Sequence, residues 1–116
     1  MPRRRTMKVN VLGMEYEIQR LPADQLEGKA GETDFYTKEI KLSDLSDIPV
    51  DIATVNIEAF KRDALRHEII HAFLFESGLD MQSGETDSWA QNETMVDWIA
   101  LQFPKMLKAF QDTGCL

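Results

Sequence analysis

The sequence predicts an α+β fold, because strand-like patterning fills its first half and helical patterning its second. Between Met7 and Leu42, apolar residues alternate with polar ones and are separated by turn-forming residues, which is typical of short strands. From about Ile52 onward, apolar residues recur at helical spacing instead. A chain of 116 residues fits one compact domain, covering 1–116, with a core of modest size.

The strands of the first half are expected to form a short antiparallel sheet. Residues 7–21 read as a β-hairpin whose turn contains Gly13. Residues 21–33 are predicted to be a loop or a short helix. A third strand is predicted over Asp34–Leu42, where apolar residues again alternate with polar ones.

The first helix of the second half is the strongest predicted element. No Gly or Pro interrupts the chain from Ile52 to Ser77, Asp51 is a suitable N-cap, and Gly78 follows the last turn. A continuous helix of this length would measure about 40 Å at the α-helical rise, which is long for such a domain. A break near Asn56 is therefore an alternative.

The last helix is predicted to begin near Asp87 or Ser88, after a polar loop over Leu79–Asp87. Its apolar residues recur at helical spacing and should face the core; they are Val96, Ile99, Ala100, Phe103, Leu107 and Phe110. Pro104 falls inside this helix. We expect it to kink or split the helix, because proline lacks the N–H that the preceding turn needs.

The composition excludes several classes of protein. Twenty acidic residues against 13 basic ones make general nucleic-acid binding by charge improbable. No apolar run approaches the about 20 residues of a membrane span, and no hydrophobic signal region follows the basic residues 1–6, which we expect to be a flexible tail. The single cysteine, Cys115, suits a reducing compartment. We therefore expect a cytoplasmic protein.

The only two histidines of the chain both fall in the motif His67-Glu68-Ile69-Ile70-His71. Positions i and i+4 lie about 40° apart around a helix, so both imidazoles can bind one metal ion. Glu68 stands beside them, where it could accept a proton from a metal-bound water. Short strings of this pattern also arise by chance, but the placement of both histidines in one motif favours a metal site.

A zinc site with two histidines needs a third protein ligand, which here must be a carboxylate or Cys115. The best candidates are Glu93 and Asp97, which are again i and i+4 and begin 22 residues after His71. One carboxylate could bind the metal while the other accepts the N–H of a liganding histidine. The alternative interpretation is an ordinary solvated acidic face.

These residues resemble a known group. An HExxH motif followed on the next helix by the Asn-Glu-x-x-x-Asp segment 92–97 is similar to the gluzincin zinc metallopeptidases, of which thermolysin is the type. The run Glu93–Ala100, followed by Phe103-Pro104, resembles the ImmA/IrrE family of phage and mobile-element metallopeptidases. The resemblance covers roughly residues 34–108. It implies a zincin-like domain, with a short antiparallel sheet packed on the HExxH helix and on a C-terminal helix that carries the glutamate.

Carried over by position, the resemblance makes His67 and His71 zinc ligands and Glu93 the third ligand. Glu68 becomes the general base that acts on a zinc-activated water, and Asp97 becomes the hydrogen-bond partner of a liganding histidine, His67. The implied activity is hydrolysis of a peptide bond in a protein or peptide substrate by a phage- or mobile-element-encoded enzyme.

The chain departs from the family in one respect. Thermolysin-like enzymes use a further His or Tyr to stabilise the oxyanion, and no histidine remains here. Of the two tyrosines, Tyr36 is the better candidate, on the strand near Phe35–Leu42 that resembles the substrate-binding edge strand of such enzymes. The alternative functions are a non-catalytic, zinc-stabilised protein-binding factor and a metal-free structural protein with a fortuitous motif.

Overall fold

The computed structural model describes residues 7–47, 56–83 and 89–116, so the predicted tail of residues 1–6 lies outside it. The predicted α+β class is confirmed at the level of a four-stranded sheet with three helices. The elements, in chain order, are β1 (Met7–Val11), β2 (Met14–Leu21), β3 (Gly31–Asp34), β4 (Glu39–Ser43), α1 (Ile57–Glu76), α2 (Leu79–Ser83) and α3 (Glu93–Asp112). Short 3-10 turns cover Ala23–Gln25 and Trp89–Gln91.

Strands β1 and β2 form the predicted hairpin, paired from Met7 opposite Ile18 to Val11 opposite Met14. The two turn residues, Leu12 and Gly13, have positive φ angles of 51° and 92°. Positive φ at both positions is the geometry of a tight two-residue hairpin turn, which glycine favours.

The sheet is mixed, so the prediction of a purely antiparallel sheet is wrong. The strand order is β1-β2-β4-β3, and β2 runs parallel to β4, with Ile18 opposite Ile40. The other two pairings are antiparallel. Parallel neighbours need a crossover between them, and the chain from Leu21 through β3 provides it.

The single third strand expected over Asp34–Leu42 is instead a hairpin of β3 and β4. A turn over residues 35–38 separates the strands, because the Asp34 carboxylate accepts the backbone N–H groups of Tyr36 and Thr37 at 2.9 and 3.0 Å. Strand β3 begins at Gly31, inside the stretch predicted as loop. The edge strand on this side of the sheet is therefore β3, whereas β4, which covers most of the predicted strand near Phe35–Leu42, lies inside the sheet.

Helix α1 packs on one face of the sheet and builds the core there. The buried residues of this cluster come from three strands and the helix; they are Val11, Tyr16, Ile18, Ile40, Leu42 and Ala72. The helix begins after Asn56, whose φ of 52° is not helical, so the helix is not continuous through that residue. The predicted N-cap Asp51 and residues 52–55 lie outside the described residues. Gly78, with a φ of 84°, follows the last turn as predicted.

The region between α1 and α3 differs from the prediction. Helix α2 occupies part of the expected polar loop. Helix α3 begins at Glu93 because the Asn92 side chain caps it, accepting the backbone N–H of Met95 at 3.0 Å. The predicted starting residues, Asp87 and Ser88, lie outside the described part of the chain.

The apolar stripe of α3 is covered only at its beginning. Val96 and Ala100 are fully buried, whereas Phe103 and Phe110 remain 48% and 39% exposed. The stripe therefore meets the core over its first two turns and then extends beyond it. Neither long helix within the described ranges combines the length and apolar character that a membrane crossing requires.

Helix α3 continues through Pro104 to Asp112, so the expected split does not occur. In an uninterrupted α-helix, the N–H of residue 104 would donate to the carbonyl of Ala100. Proline has no N–H, and the Arg66 side chain of α1 donates its Nε–H to that carbonyl at 2.8 Å instead. A contact from another helix thus satisfies the acceptor that the proline leaves open.

A buried polar group ties the end of α1 to the sheet. The hydroxyl of Tyr16 donates to the Glu76 carboxylate at 2.6 Å, and Lys38 Nζ lies 2.6 Å from the same oxygen. Lys38, followed by Tyr16, holds the pKa of Glu76 below its usual range through these hydrogen bonds. Burial, reinforced by Glu76, raises the pKa of Tyr16.

We predict that Glu76→Gln lowers the free energy of unfolding by about 1–3 kcal/mol at pH 7. Glutamine still accepts a hydrogen bond from Tyr16 but loses the charge that faces Lys38. Because the folded-state pKa of Glu76 is lowered, its contribution is present above the ordinary value of 4.5 and is lost as the pH falls through the folded-state pKa. The difference in the free energy of unfolding between the variant and wild type should therefore decrease below that pH. Urea unfolding across a pH series measures it.

The matched control is Glu15→Gln, which removes the same charge from an exposed pair whose closest approach to Lys8 is 4.0 Å. It should change stability by less than about 0.5 kcal/mol. The role assigned to Glu76 would be contradicted if both variants lost the same free energy of unfolding. It would also be contradicted if the difference between Glu76→Gln and wild type did not change with pH.

Candidate metal centre

Helix α1 brings His67 and His71 together on the side that faces α3. Their Nε2 atoms lie 3.0 Å apart, and their ring centroids are separated by 4.7 Å. Both side chains are largely buried, with exposed fractions of 13% and 10%. The helical i and i+4 spacing thus directs two imidazole nitrogens to one point, as the sequence predicts.

Glu93, at the first turn of α3, faces both nitrogens. Its Oε1 lies 2.6 Å from Nε2 of His71, and its Oε2 lies 3.2 Å from Nε2 of His67. The potential ligand atoms of these three residues all lie within 4.8 Å of one another. The Glu93 side chain is 70% exposed, so the cluster opens toward solvent.

Asp97, one turn further along α3, contacts the other nitrogen of His67. Its Oδ1 lies 2.6 Å from Nδ1 of His67. An ionised carboxylate can only accept hydrogen bonds, so Nδ1 carries the hydrogen. In the neutral imidazole this leaves the lone pair on Nε2, directed toward Glu93 and His71.

Gln91 gives His71 the equivalent partner. Its Oε1 lies 2.6 Å from Nδ1 of His71, and its Nε2 donates to the backbone carbonyl of His71 at 3.4 Å. This contact directs the His71 lone pair into the cluster as well. Sequence reasoning missed Gln91, because it lies in a 3-10 turn without a periodic pattern, and its only signal is its position just before Asn92 and Glu93.

The chemistry of this donor set fits a divalent metal ion. Two neutral Nε2 lone pairs that face each other at 3.0 Å repel unless a proton or a cation lies between them. Two imidazoles and one carboxylate form a common ligand set for catalytic zinc, which leaves a further position open. The carboxylates of Glu68, Glu93 and Asp97 surround this point and favour a positive charge there.

Glu68 is buried beside the cluster and is held by the sheet. The hydroxyl of Thr33, on β3, donates to its Oε1 at 2.8 Å, while its Oε2 lies 3.9 Å from Nε2 of His67. Burial raises the pKa of the Glu68 carboxyl, and the hydrogen bond from Thr33 opposes that rise. One carboxylate oxygen is thus anchored and the other faces the histidines.

Gly31, two residues before Thr33 on the same face of β3, leaves the space that Glu68 occupies. A Cβ at this position would lie 3.1 Å from Cγ of Glu68 and 3.0 Å from Cδ2 of Leu42. Strand β3 therefore positions Glu68 in two ways: its backbone approaches closely at Gly31, and the Thr33 hydroxyl donates a hydrogen bond. The sequence did not predict this arrangement, because Gly31 and Thr33 lie in a segment interpreted as loop.

Cavities open on both sides of the cluster. One of about 360 Å³ lies on the His71 side and reaches Phe35, and another of about 600 Å³ lies on the His67 side and reaches Phe60. Glu68 and Glu93 line both of them. An extended ligand passing over the cluster would therefore find space in both directions.

Two residues considered from the sequence are not brought to the cluster. Tyr36, the candidate for oxyanion stabilisation, is 89% exposed in the turn after β3, with its ring edge-on to Phe75 at 6.1 Å between centroids. Cys115, the alternative third ligand, follows the far end of α3 and contacts the carbonyl of Phe110 at 3.6 Å. Glu93, in contrast, lies at the near end of that helix.

Comparison with known proteins identifies no relative. The chain matches no known protein family, and no curated protein or solved structure is significantly similar to it. Any statement about its function therefore rests on the motif residues and on the geometry of the cluster.

We predict that Thr33→Val lowers the free energy of unfolding of the metal-free protein by about 1–3 kcal/mol, whereas Thr33→Ser changes it by less than half as much. Valine has nearly the shape of threonine and suits a strand, so the loss reports the contacts of the hydroxyl with the buried Glu68 carboxylate at 2.8 Å and with the Glu68 backbone carbonyl at 3.3 Å. Urea unfolding followed by circular dichroism measures both variants. A valine variant as stable as wild type would show that these contacts contribute nothing.

Proposed function

We propose that the chain is a zinc-dependent metallopeptidase of the gluzincin type, which hydrolyses a peptide bond in a protein or peptide substrate. The observation that carries the proposal is the convergence of His67, His71 and Glu93 on one point, with the buried carboxylate of Glu68 beside it. A purely structural zinc site would more commonly use cysteines and close the coordination sphere.

The proposal includes a zincin-like packing and membership of an ImmA/IrrE-like, phage- or mobile-element-encoded group acting in the cytoplasm. What supports the packing is the position of the HExxH helix α1 between the edge strand β3 and the glutamate-bearing helix α3. The Thr33 contact joins α1 to β3, and the Glu93 and Asp97 contacts join it to α3.

A zinc ion held by the three ligands would supply Lewis-acid polarisation of the substrate carbonyl and would acidify a coordinated water. Glu68 is placed to take the proton on Oε2, because Thr33 retains Oε1. Its burial, which raises the pKa of the carboxyl, suits it to carry that proton to the leaving amine. Asp97 and Gln91 orient the two imidazoles throughout.

The free edge of β3 suits an extended substrate. Among the strands described, β3 pairs only with β4, so its other edge can accept hydrogen bonds from an added strand. This edge replaces the one near Phe35–Leu42 that the family resemblance implies. The cavities on the His71 and His67 sides give the substrate room before and after the cleaved bond.

A second candidate is a non-catalytic, zinc-stabilised binding factor. The position of Tyr36 favours it, because the tyrosine is 89% exposed and its ring contacts Phe75 edge-on. Within the described residues, neither cavity at the cluster is lined by a tyrosine that could stabilise an oxyanion. This candidate keeps the same ligands and gives Glu68 no chemical role.

We predict that the protein binds one zinc ion per chain and that Glu93→Gln weakens this binding by at least about 10-fold, because an amide oxygen is a poorer zinc ligand than a carboxylate. Isothermal titration of chelator-treated protein measures the affinity. Glu58→Gln, an exposed change in the first turn of α1, is the matched control and should bind zinc as wild type does. Absence of stoichiometric zinc in wild type would contradict both candidate functions.

Cleavage separates the two candidates. We predict that zinc-loaded wild type cuts unfolded protein substrates and that Glu68→Gln retains zinc but loses at least about 100-fold of the rate, the usual contribution of a general base. Mass spectrometry of the products, with Glu58→Gln as the control, measures the rate. Zinc binding without cleavage, or cleavage that survives Glu68→Gln, would favour the binding factor or another base.

A further inference from the structure

Pro104 and Arg66 form an unusual connection between the two helices that hold the cluster. The proline removes the intrahelical donor for the carbonyl of Ala100, and Arg66 replaces it with a hydrogen bond of 2.8 Å from Nε. The guanidinium is also steadied by Asp63, whose Oδ1 lies 3.5 Å from Nη2. A directional hydrogen bond therefore joins α1 and α3. Its acceptor, the Ala100 carbonyl, is available because Pro104 has no N–H to donate to it.

The two ends of this bond adjoin the candidate ligands. Arg66 immediately precedes His67 on α1. Ala100 is fully buried on α3 and lies one turn beyond Asp97 and two turns beyond Glu93, so all three share the face that meets α1. The bond thus lies in line with the contacts from Asp97 to His67 and from Glu93 to His71.

Apart from the contacts of Glu93 and Asp97 with the histidines themselves, the packing between the helices restricts the register of α3 less strongly. The buried apolar side chains of α3 in this region are Val96 and Ala100, and apolar packing is not directional. A shift by one residue would rotate each side chain by about 100° and move it about 1.5 Å along the axis. The 2.6 Å distances from Glu93 to His71 and from Asp97 to His67 would not survive such a shift.

We propose that Arg66 is a positioning residue for the metal centre and that Pro104 frees its acceptor. The hydrogen bond from Arg66 to Ala100 sets the register of α3 against α1, and this register presents Glu93 and Asp97 to the two histidines. The inference rests on the proposed metal site but concerns the helices that hold it rather than the hydrolysis.

The test compares Arg66→Met with Arg62→Met in zinc affinity and in imidazole ¹⁵N spectra of the metal-free protein. Arg62 is exposed one turn earlier on α1, so its replacement removes the same charge without touching α3. Arg66→Met should weaken zinc binding by about 10-fold or more, as loss of an outer partner typically does. Arg66→Met should also give imidazole ¹⁵N signals from both tautomers of the histidines. Arg62→Met should retain the wild-type zinc affinity and the wild-type tautomer signals.

The double variant Arg66→Met/Pro104→Ala separates positioning from simple stability. Alanine restores an N–H at residue 104, so the Ala100 carbonyl again has an intrahelical donor and the urea midpoint should recover. Zinc affinity should remain about 10-fold weaker, because the bond from residue 66 to the Ala100 carbonyl is still missing. If zinc affinity recovers together with the urea midpoint, the inference is overturned. Arg66 would then serve only to satisfy the Ala100 carbonyl.

The outcomes also separate this inference from the proposed function. A wild type that binds no zinc would overturn the proposed metal centre, and the tautomer spectra would still decide the role of Arg66. Wild-type tautomer signals in Arg66→Met would overturn the inference even if wild type binds zinc and cleaves its substrate.

Discussion

The rest of the structure depends on one constraint at the cluster. The Nε2 atoms of His67 and His71 are held 3.0 Å apart, with their lone pairs directed at the same point. Asp97 and Gln91 each occupy the other nitrogen of a ring, so neither imidazole can relieve the repulsion by presenting a hydrogen while it stays neutral. Glu93 adds a negative carboxylate to the same point. The arrangement is costly without a proton or a cation, and the proposed metal ion would convert it into a stabilising interaction.

The fold holds this arrangement from three directions. The sheet buries the opposite face of α1, and the contact of Tyr16 and Lys38 with Glu76 secures the end of that helix. Strand β3 supports Glu68 through Thr33. Helix α3 contributes the two remaining carboxylates, while much of its later half extends beyond the core, so its placement depends on contacts near its beginning. A small core is thus supplemented by directional polar bonds around the site.

The sequence predicted the local features of the site and missed those that arise from tertiary contacts. Helical spacing was sufficient to bring His67 and His71 together and to place Glu93 and Asp97 on one face. Strand β3 was missed because Gly-Glu-Thr-Asp is typical of turns, and its strand geometry comes from pairing with β4. The prediction that Pro104 kinks or splits the last helix is wrong for the split, and the Ala100 carbonyl that the proline leaves without a donor is satisfied by Arg66, which is 34 residues away in the sequence.

The most direct test of the proposed metal centre is the coordination sphere of zinc in the loaded wild-type protein, measured by X-ray absorption at the zinc edge. We expect two imidazole nitrogens at about 2.0–2.1 Å and a carboxylate oxygen at about 2.0–2.2 Å, with one histidine contribution lost in His71→Ala. A sulfur at about 2.3 Å would instead indicate Cys115 as a ligand. That result, or an unchanged sphere in His71→Ala, would contradict the claim that His67, His71 and Glu93 share one ion.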